Sequence, residues 1–185
     1  MNPGESLPPP WRTRWRVRSG YPVGLACFVL ARPTPQTLFV GAVFAVIGLA
    51  IRAGAAGHLR KHELLATAGP YAWTRNPLYL GSLLLGTGFL FATNSWNAAA
   101  VAALYLAVFY PGVMHREEEE LRAEYGSAFD EYARRVPLFW PRPPGKTAAE
   151  PFSWKQYGRN REYQALAGAL LAFAVLALEI IWRRG

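Results

Sequence analysis

NPLYLGSLLLGTGFLFATNSWNAAAVAALYLAVFYPGVM, Asn76 to Met114, runs for 39 residues without an aspartate, glutamate, lysine or arginine. One helix crossing a bilayer needs about 20 predominantly apolar residues. The run therefore holds two such helices, and Asn94-Ser95-Trp96-Asn97 is the turn between them. This tight transmembrane hairpin decides the fold class. Two further stretches are long enough to span: Thr37–Gly57, broken only by Arg52, and Tyr163–Trp182, which carries Glu179 near its end. Tyr21–Ala31 is shorter, about half to two-thirds of a span, and Arg32-Pro33-Thr34-Pro35 closes it with a turn. The expected fold is all-α, an integral-membrane helical bundle of about five transmembrane segments with a cytoplasmic amphipathic helix. One domain over 21–185, with its motif core at 52–141, follows a disordered, basic segment over 1–20.

Composition agrees with a membrane protein whose charges are concentrated. Apolar residues make up 52% of the 185, charged residues 17%, and the mean hydropathy is only +0.06. Seventeen of the 20 lysines and arginines fall before Tyr21, between Arg52 and Arg75, or between Arg116 and Arg161. The excess of Lys and Arg on cytoplasmic loops puts all three groups, and the N-terminus, in the cytoplasm. A net charge of +8 beside apolar spans points to anionic lipid headgroups. No aromatic-basic module is present, so nucleic acid is not expected as a partner. Cys27 is the only cysteine, which excludes an internal disulfide and a thiolate metal cluster. No small-residue cleavage site follows a suitable apolar core, so no signal peptide is expected. His58, His62 and His115 lack a convincing ligand spacing, and no metal is expected. Gly86-Thr87-Gly88 lies in an apolar run with no strand before it, which favours close helix packing over a nucleotide loop.

The stretch HREEEELRAEYGSAFDEYARRVP, from His115, repeats Leu121, Tyr125, Phe129, Tyr132 and Val136 at helical spacing. Pro137 ends it, and Gly126 is a point where it can divide. At about 100° per residue, Glu117 lies roughly 40° to one side of Leu121 and Glu118 roughly 60° to the other. Glu119 and Glu120 point away. Two readings stay open: a solvated acidic helix start, or Glu117 or Glu118 turned inward to meet a cation, since a carboxylate bordering a span is costly unless paired. Tyr71 and Tyr79 likewise read either as walls of a site or as interfacial anchors.

ELLATAGPYAWTRNPLYLG, then a hairpin, then REEEELRAEYGSAFDEYARRVP, resembles the isoprenylcysteine carboxyl methyltransferase family. That family belongs to a group of integral-membrane methyltransferases that includes phospholipid N-methyltransferases. The resemblance covers roughly Arg52 to Pro141. It implies S-adenosylmethionine as methyl donor and a lipophilic or lipid acceptor. It implies that Glu63, Leu64, Leu65, Ala66, Gly69 and Tyr71 line the cofactor pocket. Arg75-Asn76-Pro77-Leu78-Tyr79 match the family's Arg-His-Pro-x-Tyr element, and Glu117-Glu118 its cofactor-contacting pair. Arg75 and Asn76 are the catalytic candidates, Arg116 the substrate-binding one. Asn76 replaces the family's histidine; it can donate and accept hydrogen bonds but cannot exchange a proton near neutral pH. Where the carboxyl methyltransferases place a substrate-side arginine, this chain has Val113. Two alternatives stand beside the methyltransferase: an NADPH-dependent sterol-reductase-like membrane enzyme using Arg60, Lys61 and Arg75, and a non-catalytic membrane scaffold.

Overall fold

The computed structural model describes residues 11–60, 63–144 and 150–184. Among them the chain is all-helical: α1 (Trp11–Val29), α2 (Pro35–His58), α3 (Pro77–Thr93), α4 (Trp96–Tyr125), α5 (Ser127–Arg135), α6 (Trp154–Arg159) and α7 (Tyr163–Arg184). The helix boundaries have local causes. Thr34 opens α2 with a reciprocal cap: its side chain accepts from the Thr37 N–H, and Thr37 returns the bond. Proline stands at the first helical position of both α2 and α3, where its missing N–H costs least. Asn94 takes the left-handed conformation at φ 49° to end α3, and Ser95 accepts from the Ala98 N–H to start α4. The expected pair of apolar helices is thus present, with a turn of two residues instead of four, since Trp96 and Asn97 already belong to α4, and with α3, at 17 residues, shorter than the expected span.

Three helices are long and apolar enough to cross a bilayer: Pro35–His58, Trp96–Tyr125 and Tyr163–Arg183. Gly20–Val29 and Pro77–Thr93 are shorter apolar helices beside them. Large apolar side chains such as Phe39, Val46, Leu104 and Leu170 lie on outer surfaces, where lipid rather than water is their solvent. The chain is a membrane protein.

The most extensive helix contact joins α2 to α3, and glycine sets it. A Cβ at Gly41 would lie 2.3 Å from the Gly88 carbonyl oxygen; one at Gly48 would lie 2.6 Å from that of Gly81. The reverse additions, at Gly88 and Gly81, meet backbone at 2.4 Å and 2.7 Å. Two glycines seven residues apart on one helix face two on the other, so the backbones touch. The opposite end of this pair is fastened at the α1–α2 turn: the Arg32 N–H donates to the Thr93 carbonyl at 2.7 Å, and Asn94 Nδ2 to the Arg32 carbonyl at 3.1 Å. Ala31, Ala92 and Leu176 form a small core there with Phe28, Leu38, Phe89 and Phe173.

Two expectations need correction. The acidic run is not a helix start. It is the C-terminal part of α4, one helix of 30 residues that continues past Pro111 and Gly112. Glu, Leu, Arg and Ala are strong helix formers, and nothing interrupts them before Gly126, where φ is 54°. Only α5 is a separate amphipathic piece. The basic segment before Tyr21 is also helical from Trp11; no proline or glycine interrupts it before Gly20. The expected disorder of Met1–Pro10 lies outside the described residues.

Gly86 has open space where a Cβ would be, whereas Gly48 meets backbone. Gly48→Ala should lower stability by about 1–3 kcal/mol through overpacking, while Gly86→Ala should leave it level or slightly raise it. Thermal melts of the two variants in one detergent check this. Equal melting points would show that the α2–α3 contact is not a rigid seam.

Candidate functional site

Residues 73–76 form the hinge of the site. They connect the short 3-10 turn Gly69–Ala72 to α3, and such a loop must find partners for its polar groups. The last turns of α5 and the chain beyond it supply them. The Arg75 N–H donates to the Pro137 carbonyl at 2.9 Å, and Arg75 Nη1 to the Ala133 carbonyl at 2.8 Å. Thr74 Oγ1 and Asn76 Nδ2 both donate to the Leu138 carbonyl, at 3.2 and 3.0 Å. The Arg142 N–H donates to the Trp73 carbonyl at 3.0 Å. Tyr132 closes the junction, its hydroxyl donating to the Tyr71 carbonyl at 2.8 Å. Beneath it Phe129, Tyr132 and Val136 make a small core with Leu65, Leu121 and Tyr125. The apolar stripe that the sequence spaced at three and four residues is the surface that grips this loop.

This clamp aims Arg75 at α4. Arg75 Nη2 lies 2.7 Å from Glu118 Oε1, with both side chains about 85% buried. The contact is not aligned as a hydrogen bond, and Glu118 Oε1 and Arg75 Nε are left without a hydrogen-bond partner. Glu117 stands at the rim and accepts from the Tyr79 hydroxyl at 2.7 Å, and Tyr79 packs edge-on against Tyr110 of α4. Glu119 and Glu120 point outward: each is more than 60% exposed and pairs along its own helix, with His115 and Arg116 respectively.

Between these groups lies a cavity of about 520 Å³, within the usual size range of small-molecule sites. Of the residues expected at a site, the structure brings Leu64, Leu65, Ala66, Tyr71, Arg75, Asn76, Pro77, Leu78, Tyr79, Glu117 and Glu118 to its wall. It does not bring Glu63, Gly69 or Arg116 there. Glu63 pairs with Arg159 of α6 at 2.9 Å on the outer surface. Gly69 takes φ 58°, and a Cβ on it would lie 2.7 Å from the His58 ring; it permits a turn. Arg116 pairs with Glu120 at 2.9 Å. Lys61 and His62 lie outside the described residues. Among the described residues no cluster of three or more His, Cys, Asp or Glu could hold a metal.

Sequence reasoning left several wall residues unassigned, Tyr110 of α4, Arg52 and Ser82 among them. Arg52 of α2 and Ser82 of α3 line the cavity where it enters the apolar bundle. Arg52 is held by Glu162, 110 residues away, through Nε to Oε1 at 2.6 Å and Nη2 to Oε2 at 2.9 Å. One signal was available: an arginine inside a spanning stretch is costly unless paired. The wall carries three guanidinium groups, Arg52, Arg60 and Arg75, and the carboxylates of Glu117, Glu118 and Glu124, with Glu120, already paired with Arg116, at its outer edge. The balance, with apolar Leu64, Leu65, Leu78 and Leu121 between them, suits a ligand that bears positive charge and an apolar companion.

Residues 24–128, more than half of the chain, match the model of the phospholipid methyltransferase family. The cobalt-zinc-cadmium resistance protein CzcN of Cupriavidus metallidurans is 45% identical over 85 residues, covering 45% of this chain and 38% of that protein. The nickel-cobalt-cadmium resistance protein NccN of Alcaligenes xylosoxydans xylosoxydans is 42% identical over 83 residues, with the same coverages. The protein-S-isoprenylcysteine O-methyltransferase of Schizosaccharomyces pombe is 29% identical over 77 residues, 42% of this chain and 33% of the enzyme. The chain spans between a third and two-fifths of the length of these curated relatives. No solved structure matches.

Burial pushes the Tyr71 and Tyr132 phenols well above their ordinary value of about 10. For Tyr132 the Arg75 charge opposes that shift without reversing it. Both hold their protons more tightly folded than unfolded, so their stabilisation is complete below about pH 10 and falls away as pH rises above it. Tyr132→Phe should cost about 1–2 kcal/mol, because the buried Tyr71 carbonyl loses its donor, and should flatten part of that alkaline decline. Melting points measured across the alkaline range check both effects; an unchanged alkaline slope in Tyr132→Phe would remove the phenol from this role.

Proposed function

Because the chain belongs to the phospholipid methyltransferase family, we propose that it moves a methyl group from S-adenosylmethionine to a lipophilic acceptor at the membrane–cytoplasm boundary. The supporting observation is the cavity that sets Glu117, Glu118 and Arg75 against Tyr71, Tyr79 and the first turns of α3. A polar cradle and an apolar wall share one volume at the ends of the apolar helices. The name of the Schizosaccharomyces pombe relative supports the same class of reaction.

The residues fit the cofactor. Glu118 and Arg75 pair at 2.7 Å, yet Glu118 Oε1 and Arg75 Nε keep hydrogen-bond capacity that the chain leaves unfilled. An amino-acid group carries both charges needed to complete them: its ammonium meets Glu118 or Glu117, its carboxylate Arg75. Tyr79 holds the Glu117 carboxylate in place by donating to it. When bound, S-adenosylmethionine supplies the activated methyl group as a sulfonium. Leu65, Leu78 and Leu121 keep water from the wall. Asn76 donates to the Leu138 carbonyl and moves no proton. In this reading Arg75 and Asn76 act by placement, and the chain contributes alignment of acceptor and donor rather than acid–base chemistry. The carboxylates on the wall disfavour the several phosphates of a nicotinamide cofactor, which weighs against the reductase alternative. The distribution of basic residues supports a site on the cytoplasmic side.

Labelled S-adenosylmethionine should bind the protein in nanodiscs. Glu117→Ala and Glu118→Ala should each weaken that binding about 10- to 100-fold, the loss of one charged hydrogen bond, and Glu119→Ala less than about twofold, as for an exposed pair. Absence of donor binding defeats the cofactor reading, and equal losses at all three positions defeat the assignment of faces. Mass spectrometry of lipid extracts from cells with and without the protein should show an acceptor gaining one methylene mass.

A further inference from the structure

The bidentate contact between Arg52 and Glu162 joins α2 to the turn that precedes α7. Arg52 is six residues before the end of α2 at His58, about 9 Å along the helix. Ser82 is five residues into α3, about 8 Å from its start. Arg52 Nη1 donates to Ser82 Oγ and, at 3.5 Å, to the Leu78 carbonyl. Its other two nitrogens reach the two Glu162 oxygens.

The two partners are not equivalent toward the cavity. Arg52 is on its wall and its side chain is 22% exposed; Glu162 is not on the wall and is 7% exposed. A molecule entering the cavity meets the cation, with the counter-charge behind it. Glu162 comes from the turn that starts α7 and lies outside the family-matched residues 24–128. A guanidinium with a free fork binds carboxylate, sulfonate or phosphate in two-point fashion. Anionic amphiphiles are abundant in a membrane, and beside Arg52 on this wall stand Leu78 and Ser82.

We propose that Glu162 is a specificity-determining residue: by occupying the Arg52 fork from behind, it keeps this wall of the cavity from capturing anionic amphiphiles. The acceptors admitted are those whose reactive head carries no net negative charge. This rests on the reading that the cavity takes a lipophilic acceptor. With Arg52 neutralised, the rest of the wall keeps more carboxylates than guanidiniums, a balance that favours the positively charged donor and repels an anionic head.

The test uses two photoaffinity probes of equal chain length, an alkyl sulfonate and an alkanol, each carrying a diazirine near the head. They are applied to the full chain in nanodiscs of zwitterionic lipid, without donor, and crosslinks on Leu78, Ser82 and Tyr110 are counted by mass spectrometry. In Glu162→Gln the sulfonate crosslinks should rise about tenfold, the gain of one unmasked charge contact, with alkanol crosslinks within about twofold. In the double variant Arg52→Gln/Glu162→Gln the sulfonate signal should return to the wild-type level or below. Where Glu162→Gln yields no folded protein, Glu162→Asp, one methylene shorter, should move the sulfonate signal the same way by about threefold. An unchanged sulfonate signal in the folded single variant, an equal rise for both probes, or a rise that persists in the double variant overturns the proposal. Failure of donor binding leaves this result readable, because no donor is present. Absence of alkanol crosslinks at the cavity in the wild type defeats the acceptor reading and this proposal with it.

Discussion

A loop at a membrane edge has few places to put its hydrogen bonds, and here the constraint is met by one stretch of backbone. The carbonyls of Ala133, Pro137 and Leu138 receive the donors of Thr74, Arg75 and Asn76. Everything at the site follows from that. The guanidinium of Arg75 is delivered to Glu118 because its main chain and one of its own terminal nitrogens are already fixed elsewhere. A free Arg75 would lose rotamer entropy on every encounter with α4; the clamp removes most of that cost beforehand. Asn76 belongs to the same device. Its amide is spent on holding α3 to the chain after α5, which calls for a hydrogen-bond donor and no titrating group.

The second requirement is that the start of α3 and the end of α2 stand close enough to share one cavity. The glycine contacts between these helices meet it without side chains in the way. They set the helix spacing at its minimum and leave Arg52, the first large residue past Gly48 on the same face, to cover Gly81. A Cβ on Gly81 would lie 2.6 Å from Arg52 Cγ. The arginine therefore runs along a groove made by glycine, and its head is carried toward Ser82 and Glu162. Packing and electrostatics here are one arrangement.

Local pattern made much of this legible. The absence of charge from Asn76 to Met114 announced two apolar helices, and Asn94-Ser95-Trp96-Asn97 marked the turn between them two residues too long, since Ser95 caps a helix that begins at Trp96. The spacing of Leu121, Tyr125, Phe129 and Tyr132 located the face that packs on the loop, and with it the likeness of Glu117 and Glu118 to a cofactor-contacting pair. Illegible were the features that depend on distant partners. Glu162 has no neighbour in sequence to reveal that it meets Arg52 across 110 residues. Glu63 sits beside wall residues in the chain, yet the turn directs it to Arg159. Gly69 sits inside the matched motif, but it answers to the His58 ring rather than to a ligand. The continuity of α4 was missed for a different reason: polarity changes sharply at His115, and a change of solvent was read as a change of element.

That continuity turns α4 into a ruler. No flexible joint separates its lipid-facing half from the carboxylates, and the 22 residue-to-residue steps from Trp96 to Glu118 measure about 33 Å at 1.5 Å each, close to the thickness of a hydrocarbon core. The height of the acidic pair above the bilayer midplane is thus counted in residues. Inserting or deleting a single residue between them would shift that height by about 1.5 Å and also swing the pair about 100° around the axis, turning Glu118 away from Arg75. Length and azimuth are coupled in such a rod, so the segment tolerates exchanges of side chain far more readily than changes of length.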